Sequence, residues 1–144
     1  ITLYIMGMRV CSCRNRLFEH QTTHVLGKQM MGEIMDSILD SVKKSLGIMP
    51  EYTHFDQDII LCINTALMIL NQLGVGNELV IEDSSATWND FLSDKTGFEM
   101  VKTYVYLRTK MTFDPPSSSV MMDALKEQIK EYEWRLNVNA ESLF

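Results

Sequence analysis

The chain has 144 residues, 46% of them hydrophobic and 22% charged, with only three Pro and seven Gly; this composition predicts one globular domain and excludes a fibrous or disordered chain. Thirteen Lys and Arg against nineteen Asp and Glu give a net charge of −6, which disfavours tight DNA or RNA binding, because a nucleic-acid binder normally shows a basic face. The longest apolar run, Ile59 to Leu70, spans 12 residues and is broken by Asn64 and Thr65, short of the roughly 18–20 that a membrane-spanning helix needs.

Residues 1–34 differ from the rest. They hold four cations (Arg9, Arg14, Arg16, Lys28) against two carboxylates, whereas residues 35–144 hold nine against seventeen, a net charge of −8. The first thirty residues show no helical or alternating period, and the apolar stretch Ile1 to Met8 lacks the preceding basic region of a signal peptide. This reads as an atypical N-terminal extension, non-native or disordered, with a native start at Met31 or Met35. Its Cys11, Cys13, His20 and His24 carry zinc-ligand chemistry. Only six residues separate the two pairs, however, against about twelve in a zinc finger, so a metal site is not expected. The odd cysteine count, with Cys62 inside an apolar run, points to a reducing compartment rather than a disulfide framework.

From Met35 the pattern becomes helical. Ile38, Leu39, Val42 and Leu46 recur at helical spacing, with Asp40 early, Lys43 and Lys44 late, and Gly47 as a stop. After Pro50, Thr53 and Asp56 have capping-box spacing and open a strongly apolar helix over about 55–73, ended by Gly74 and Gly76. Its apolar residues cover most of its circumference, with Gln57, Asn64 and Asn71 along one narrow polar strip, so it should be packed on several sides. Residues 78–83 form an acidic loop, briefly extended near 79–82. Asp83, Ser84 or Ser85 then caps a short helix through Phe91, pinned by Trp88 and Phe91.

A fourth helix, about 96–113, carries Met100, Tyr104, Leu107 and Met111 on one stripe and Phe98, Val101 and Val105 on the next. Asp114-Pro115-Pro116 ends it, and Ser117 to Ser119 cap a last helix to about Val138. Met121, Leu125, Ile129, Tyr132 and Leu136 form its buried stripe, Glu131 and Arg135 are spaced as an i,i+4 pair, and residues 137–144 read as a fraying tail. Trp134 falls off the stripe with Val138 one turn on, an outward edge suited to a partner. The fold class is all-α, a small bundle of about five helices.

Catalytic motifs are absent: there is no nucleophile elbow, phosphate loop or metalloprotease helix, and Gly74-Val75-Gly76 lacks the remaining glycine of a dinucleotide loop. His54 sits at a helix start beside Thr53 and is assigned no role. No enzyme and no cofactor are expected. The eleven methionines, spread over every segment, read as core fillers.

From Met35 onward the chain resembles the head–tail connector (adaptor) proteins of tailed bacteriophages. The resemblance rests on the order of D-S-V-K-K-S-L-G (40–47), D-I-I-L-C-I-N-T-A-L-M-I-L-N-Q-L-G-V-G (58–76), S-A-T-W-N-D-F (85–91), V-K-T-Y-V-Y-L-R (101–108), F-D-P-P-S-S (113–118) and E-W-R-L-N (133–137). It implies a structural virion protein of the neck, assembled in the host cytoplasm. Such a protein docks as a homo-oligomeric ring, a dodecamer, on the portal protein, extends the DNA channel and receives a stopper or tail-completion protein. DNA would pass without specific binding. In that family the C-terminal helix and tail face the portal, which here designates Glu133, Trp134, Arg135, Leu136, Asn137 and Val138. The competing reading is an all-α regulatory or DNA-binding module, with 85–91 and 96–113 as a helix-turn-helix, though Lys102, Arg108 and Lys110 are few and offset by Glu99. A small helical enzyme acting through His54 with Asp56 or Asp58 is a further alternative.

Overall fold

The computed structural model describes residues 36–92 and 97–141. The expectations placed on residues 1–35, including the Cys11, Cys13, His20 and His24 group and both candidate starts, lie outside the described residues. Within them the protein is all-α, with five helices: α1 (Ile38–Leu46), α2 (Asp56–Gln72), α3 (Trp88–Phe91), α4 (Phe98–Phe113) and α5 (Ser119–Glu141). No strand forms among the described residues, and the segment expected to be extended near 79–82 pairs with a side chain rather than with a neighbouring strand. There the main chain of Ile81 is held by the Asn64 side chain, which accepts from Ile81 N–H at 2.8 Å and donates to its carbonyl at 2.9 Å. An α2 side chain thus occupies the groups a neighbouring strand would have paired.

The organising element is α4, which packs against α2, α5 and α1, while α1 also packs against α2. Its two expected stripes are where the core forms: Phe98, Val101, Tyr104, Val105 and Leu107 are buried. Trp88 and Phe91, both fully buried, anchor the single turn of α3. The Trp88 ring meets Phe98 edge-on at 5.9 Å, and its indole N–H donates to the Ser41 hydroxyl on α1 at 2.9 Å. One buried polar atom lacks support: Thr109 Oγ1 on α4 has no hydrogen-bond partner among the described residues. Since a buried hydroxyl without a partner costs stability, Thr109→Val, which keeps the shape, is expected to stabilise the bundle by about 1 kcal/mol. A thermal melt reads this as a raised midpoint, and a lowered one would show that the hydroxyl is satisfied.

The helix ends depart from the sequence expectations in three places. The Thr53–Asp56 capping box is not made: Phe55 is the N-cap of α2 without a side-chain bond, because the Asp56 carboxylate turns instead to the buried Lys43 ammonium at 2.7 Å. Nor do Asp83, Ser84 or Ser85 cap α3. Its N-cap is Thr87, whose N–H and hydroxyl both donate to the Asp90 carboxylate at 2.8 Å, while Asp83 accepts from Ser85 N–H in the preceding turn at 2.7 Å. Finally, α5 runs past Val138 to Glu141, with Ala140 buried and Asn137 donating to Glu141 at 3.1 Å. Residues 137–141 are therefore helix rather than fraying tail. At the other end of α5, Met121 is exposed instead of joining the buried stripe. The expected ends of α1 at Gly47, in the left-handed region at φ 80°, and of α4 at Phe113 are where the chain turns.

Candidate docking surfaces

The segment expected to meet a partner, residues 133–138, divides by helix geometry. Leu136 points inward and is buried in the core. Glu133 is half-buried and accepts from the Tyr104 hydroxyl at 2.8 Å, with the Arg108 guanidinium 4.0 Å away. These two residues join α5 to α4. Trp134 and Val138, one turn apart, project outward; the indole is 66% exposed. Arg135 lies beside them, held by Glu131 in the expected i,i+4 pair, Nη2 to Oε1 at 2.6 Å and Nε to the same oxygen at 3.0 Å. A large aromatic on an otherwise solvated helix face, framed by a fixed guanidinium, has the composition of an interface anchor.

The Tyr104–Glu133 contact also makes the α4–α5 seam sensitive to alkali. Burial first, then the carboxylate that accepts its proton, push the Tyr104 phenol well above the ordinary tyrosine value, with Arg108 pulling weakly the other way. Its folded value thus exceeds the unfolded value of about 10. The stability this contributes is complete below about pH 10 and lost as pH rises toward the folded value. Denaturation midpoints between about pH 8 and 11.5 should fall at the alkaline end in the native sequence and fall less in Tyr104→Phe. Equal slopes would contradict this assignment.

A second surface, which the sequence reading missed, lies on α2. That helix was expected to be covered on several sides, yet Leu61 (68% exposed) and Met68 (57%) face outward, alongside Val80 (70%) from the following loop. Together with Asn64, Thr65 and Glu78 they line an open groove between α2 and residues 78–80. A sequence signal for this existed: Asp58, Thr65 and Gln72 form a second polar column beside Gln57, Asn64 and Asn71, and Leu61 and Met68 sit at i+3 and i+4 from them, on the same face. The Glu78 carboxylate that lines the groove is exposed, as are those of Glu82 and Asp83 further along the same loop.

Other candidates bring nothing together. His54 is exposed and stacks edge-on with Phe55 at 5.3 Å, and the Asp56 of the enzyme alternative is committed to Lys43. Cys62 is a free, half-buried thiol, pushed up by burial and by Asp58. Among the described residues no group of three or more His, Cys, Asp or Glu could hold a metal, and no helix is long and apolar enough to cross a membrane. The helix-turn-helix alternative finds no support in the geometry: α3 is a single turn, and α4, the would-be recognition helix, is packed on three neighbours.

No curated protein and no solved structure matches the chain. A family model described as "Phage connector protein" matches residues 38–142, from the first residue of α1 to just past the end of α5. That stretch contains every described helix and both surfaces described above, and it is the region in which the quoted motifs fall. The chain therefore belongs to the phage connector protein family and is a bacteriophage structural protein of the connector type.

Proposed function

We propose that this connector joins the capsid to the tail: its copies assemble as a ring, a dodecamer, on the portal protein, extend the DNA channel and present a platform to a stopper or tail-completion protein. The family match over residues 38–142 carries this reading. Two observations support it. The net charge of −8 over residues 35–144 suits a channel along which DNA slides, since an acidic wall repels phosphate. The outward Trp134 and Val138 supply an apolar anchor on the helix that the resemblance designates as portal-facing. On this reading residues 35–144 are the connector domain, residues 1–34 are a separate extension, and the role is structural.

In the docking segment, Trp134, Arg135 and Val138 are the contact residues, with Asn137 beside them; Leu136 and Glu133 hold the helix in place. The double variant Trp134→Ser, Val138→Ser alters exposed positions, so its own stability should stay within about 0.5 kcal/mol of the parent. Its affinity for the cognate portal protein should fall by about tenfold or more, the effect of losing a central aromatic anchor. Sedimentation of portal mixtures reads this directly. Unchanged portal binding with a folded variant would remove the C-terminal helix from the docking surface.

A further inference from the structure

The groove on α2 is independent of the portal-docking helix, and its chemistry specifies a different kind of occupant. Leu61 and Met68 are seven residues apart on one helix, about 10 Å along its axis, which is two turns of a second helix laid beside it. Val80 closes the other wall. That wall is rigidly placed, because the Asn64 side chain holds both the N–H and the carbonyl of Ile81, so the groove exists before anything binds. Three exposed apolar side chains around one groove form an unpartnered surface, separate from the exposed Trp134 and Val138 on α5.

The rim decides what kind of partner fits. Between Asp56 and Phe91 the sequence carries six carboxylates (Asp56, Asp58, Glu78, Glu82, Asp83, Asp90) and no Lys or Arg. Asp56 is neutralised by Lys43 from α1. Glu78 lines the groove itself, and Asp58 stands one turn before Leu61 on the same helix. The same face of a second copy, carrying the same carboxylates and no Lys or Arg between Asp56 and Phe91, would bring like charge to this rim, and so would nucleic acid. We propose that the α2 groove is a docking site for a basic amphipathic helix of another protein, with apolar residues on Leu61, Met68 and Val80 and its Lys or Arg residues over the surrounding carboxylates.

The probe is a synthetic Leu/Lys peptide with one apolar stripe, titrated into the full chain and followed by fluorescence anisotropy. Controls are a scrambled peptide of the same composition and a striped Leu/Glu peptide. The striped Leu/Lys peptide should bind best, and weaken by about tenfold in Leu61→Ser, Met68→Ser, whose exposed sites leave the fold intact. Glu78→Lys, Glu82→Lys should weaken it as well and reduce its dependence on salt. Trp134→Ser, Val138→Ser should leave it unchanged, so failure here and failure of portal docking are separable. Equal binding of the scrambled peptide would mean unspecific cation adhesion and overturn the proposal. So would a chain that self-associates and is dispersed by Leu61→Ser, Met68→Ser, because the occupant would then be a second copy.

Discussion

Gly76→Ala is expected to destabilise the bundle by about 3 kcal/mol or more, lowering the thermal midpoint by about 10 °C or more. Two costs coincide at this position. Gly76 has φ 77°, in the left-handed region where a Cβ is disfavoured, and that Cβ would lie 2.5–2.8 Å from three ring atoms of Phe91. The ring has nowhere to go, since Phe91 is fully buried and its carbonyl accepts from Asn77 N–H at 2.7 Å, tying the two segments together. Gly47 supplies the comparison. It has nearly the same φ, 80°, but nothing within 4 Å of the built Cβ, so Gly47→Ala should cost only the backbone term of about 1 kcal/mol. If the two variants melt together, the close approach of Gly76 to Phe91 is not made in solution.

The buried Lys43 is the second site with a large expected effect. Its side chain is 1% exposed, and its ammonium donates to Asp56 Oδ1 at 2.7 Å and to the Pro50 carbonyl at 2.8 Å. It thereby joins α1 to the start of α2 and to the loop between them. Asp56→Ala leaves this cation buried with one neutral acceptor and should cost about 3 kcal/mol. Lys43→Met removes the charge while keeping the apolar volume; Asp56, partly exposed and at a helix N-terminus that favours a carboxylate, then needs no partner, so the cost should stay near 1 kcal/mol. Urea midpoints of the two variants measure the asymmetry. Equal losses would mean that Lys43 reaches solvent.

Where burial follows a single periodic stripe, the sequence was legible. The core positions of α4, the inward Leu136 and the outward Trp134 all follow from spacing of three and four residues. What escaped was set by side chains that reach across elements. Lys43 lies four residues after Leu39 on the buried face of α1, yet its charge reads as a favourable helix C-terminus, because the carboxylate that neutralises it is thirteen residues away. That same carboxylate deserts the Thr53 cap, so a correct local spacing yields an unmade bond. The Thr87–Asp90 pair has equally good capping spacing, and there the bond forms because Asp90 has no distant competitor among the contacts it makes.

On α2 the difficulty was of another kind. Asn64 looks like part of a solvated strip, but its amide is spent on the Ile81 main chain, and the exposed face lies beside it, where the apolar Leu61 and Met68 fall. Apolar character alone does not distinguish a residue that packs inside its own chain from one that awaits another protein. For the same reason only Trp134 and Val138, which fall off a narrow stripe, could be singled out as a surface, whereas the groove on a nearly all-apolar helix could not.

As a head–tail joint, the connector should add a ring to the portal. Negative-stain imaging of the purified protein mixed with its cognate portal protein tests it most directly. Portal particles should be lengthened by an added ring coaxial with the channel, and that ring should be lost with Trp134→Ser, Val138→Ser. Portal particles unchanged by saturating, folded connector would contradict it.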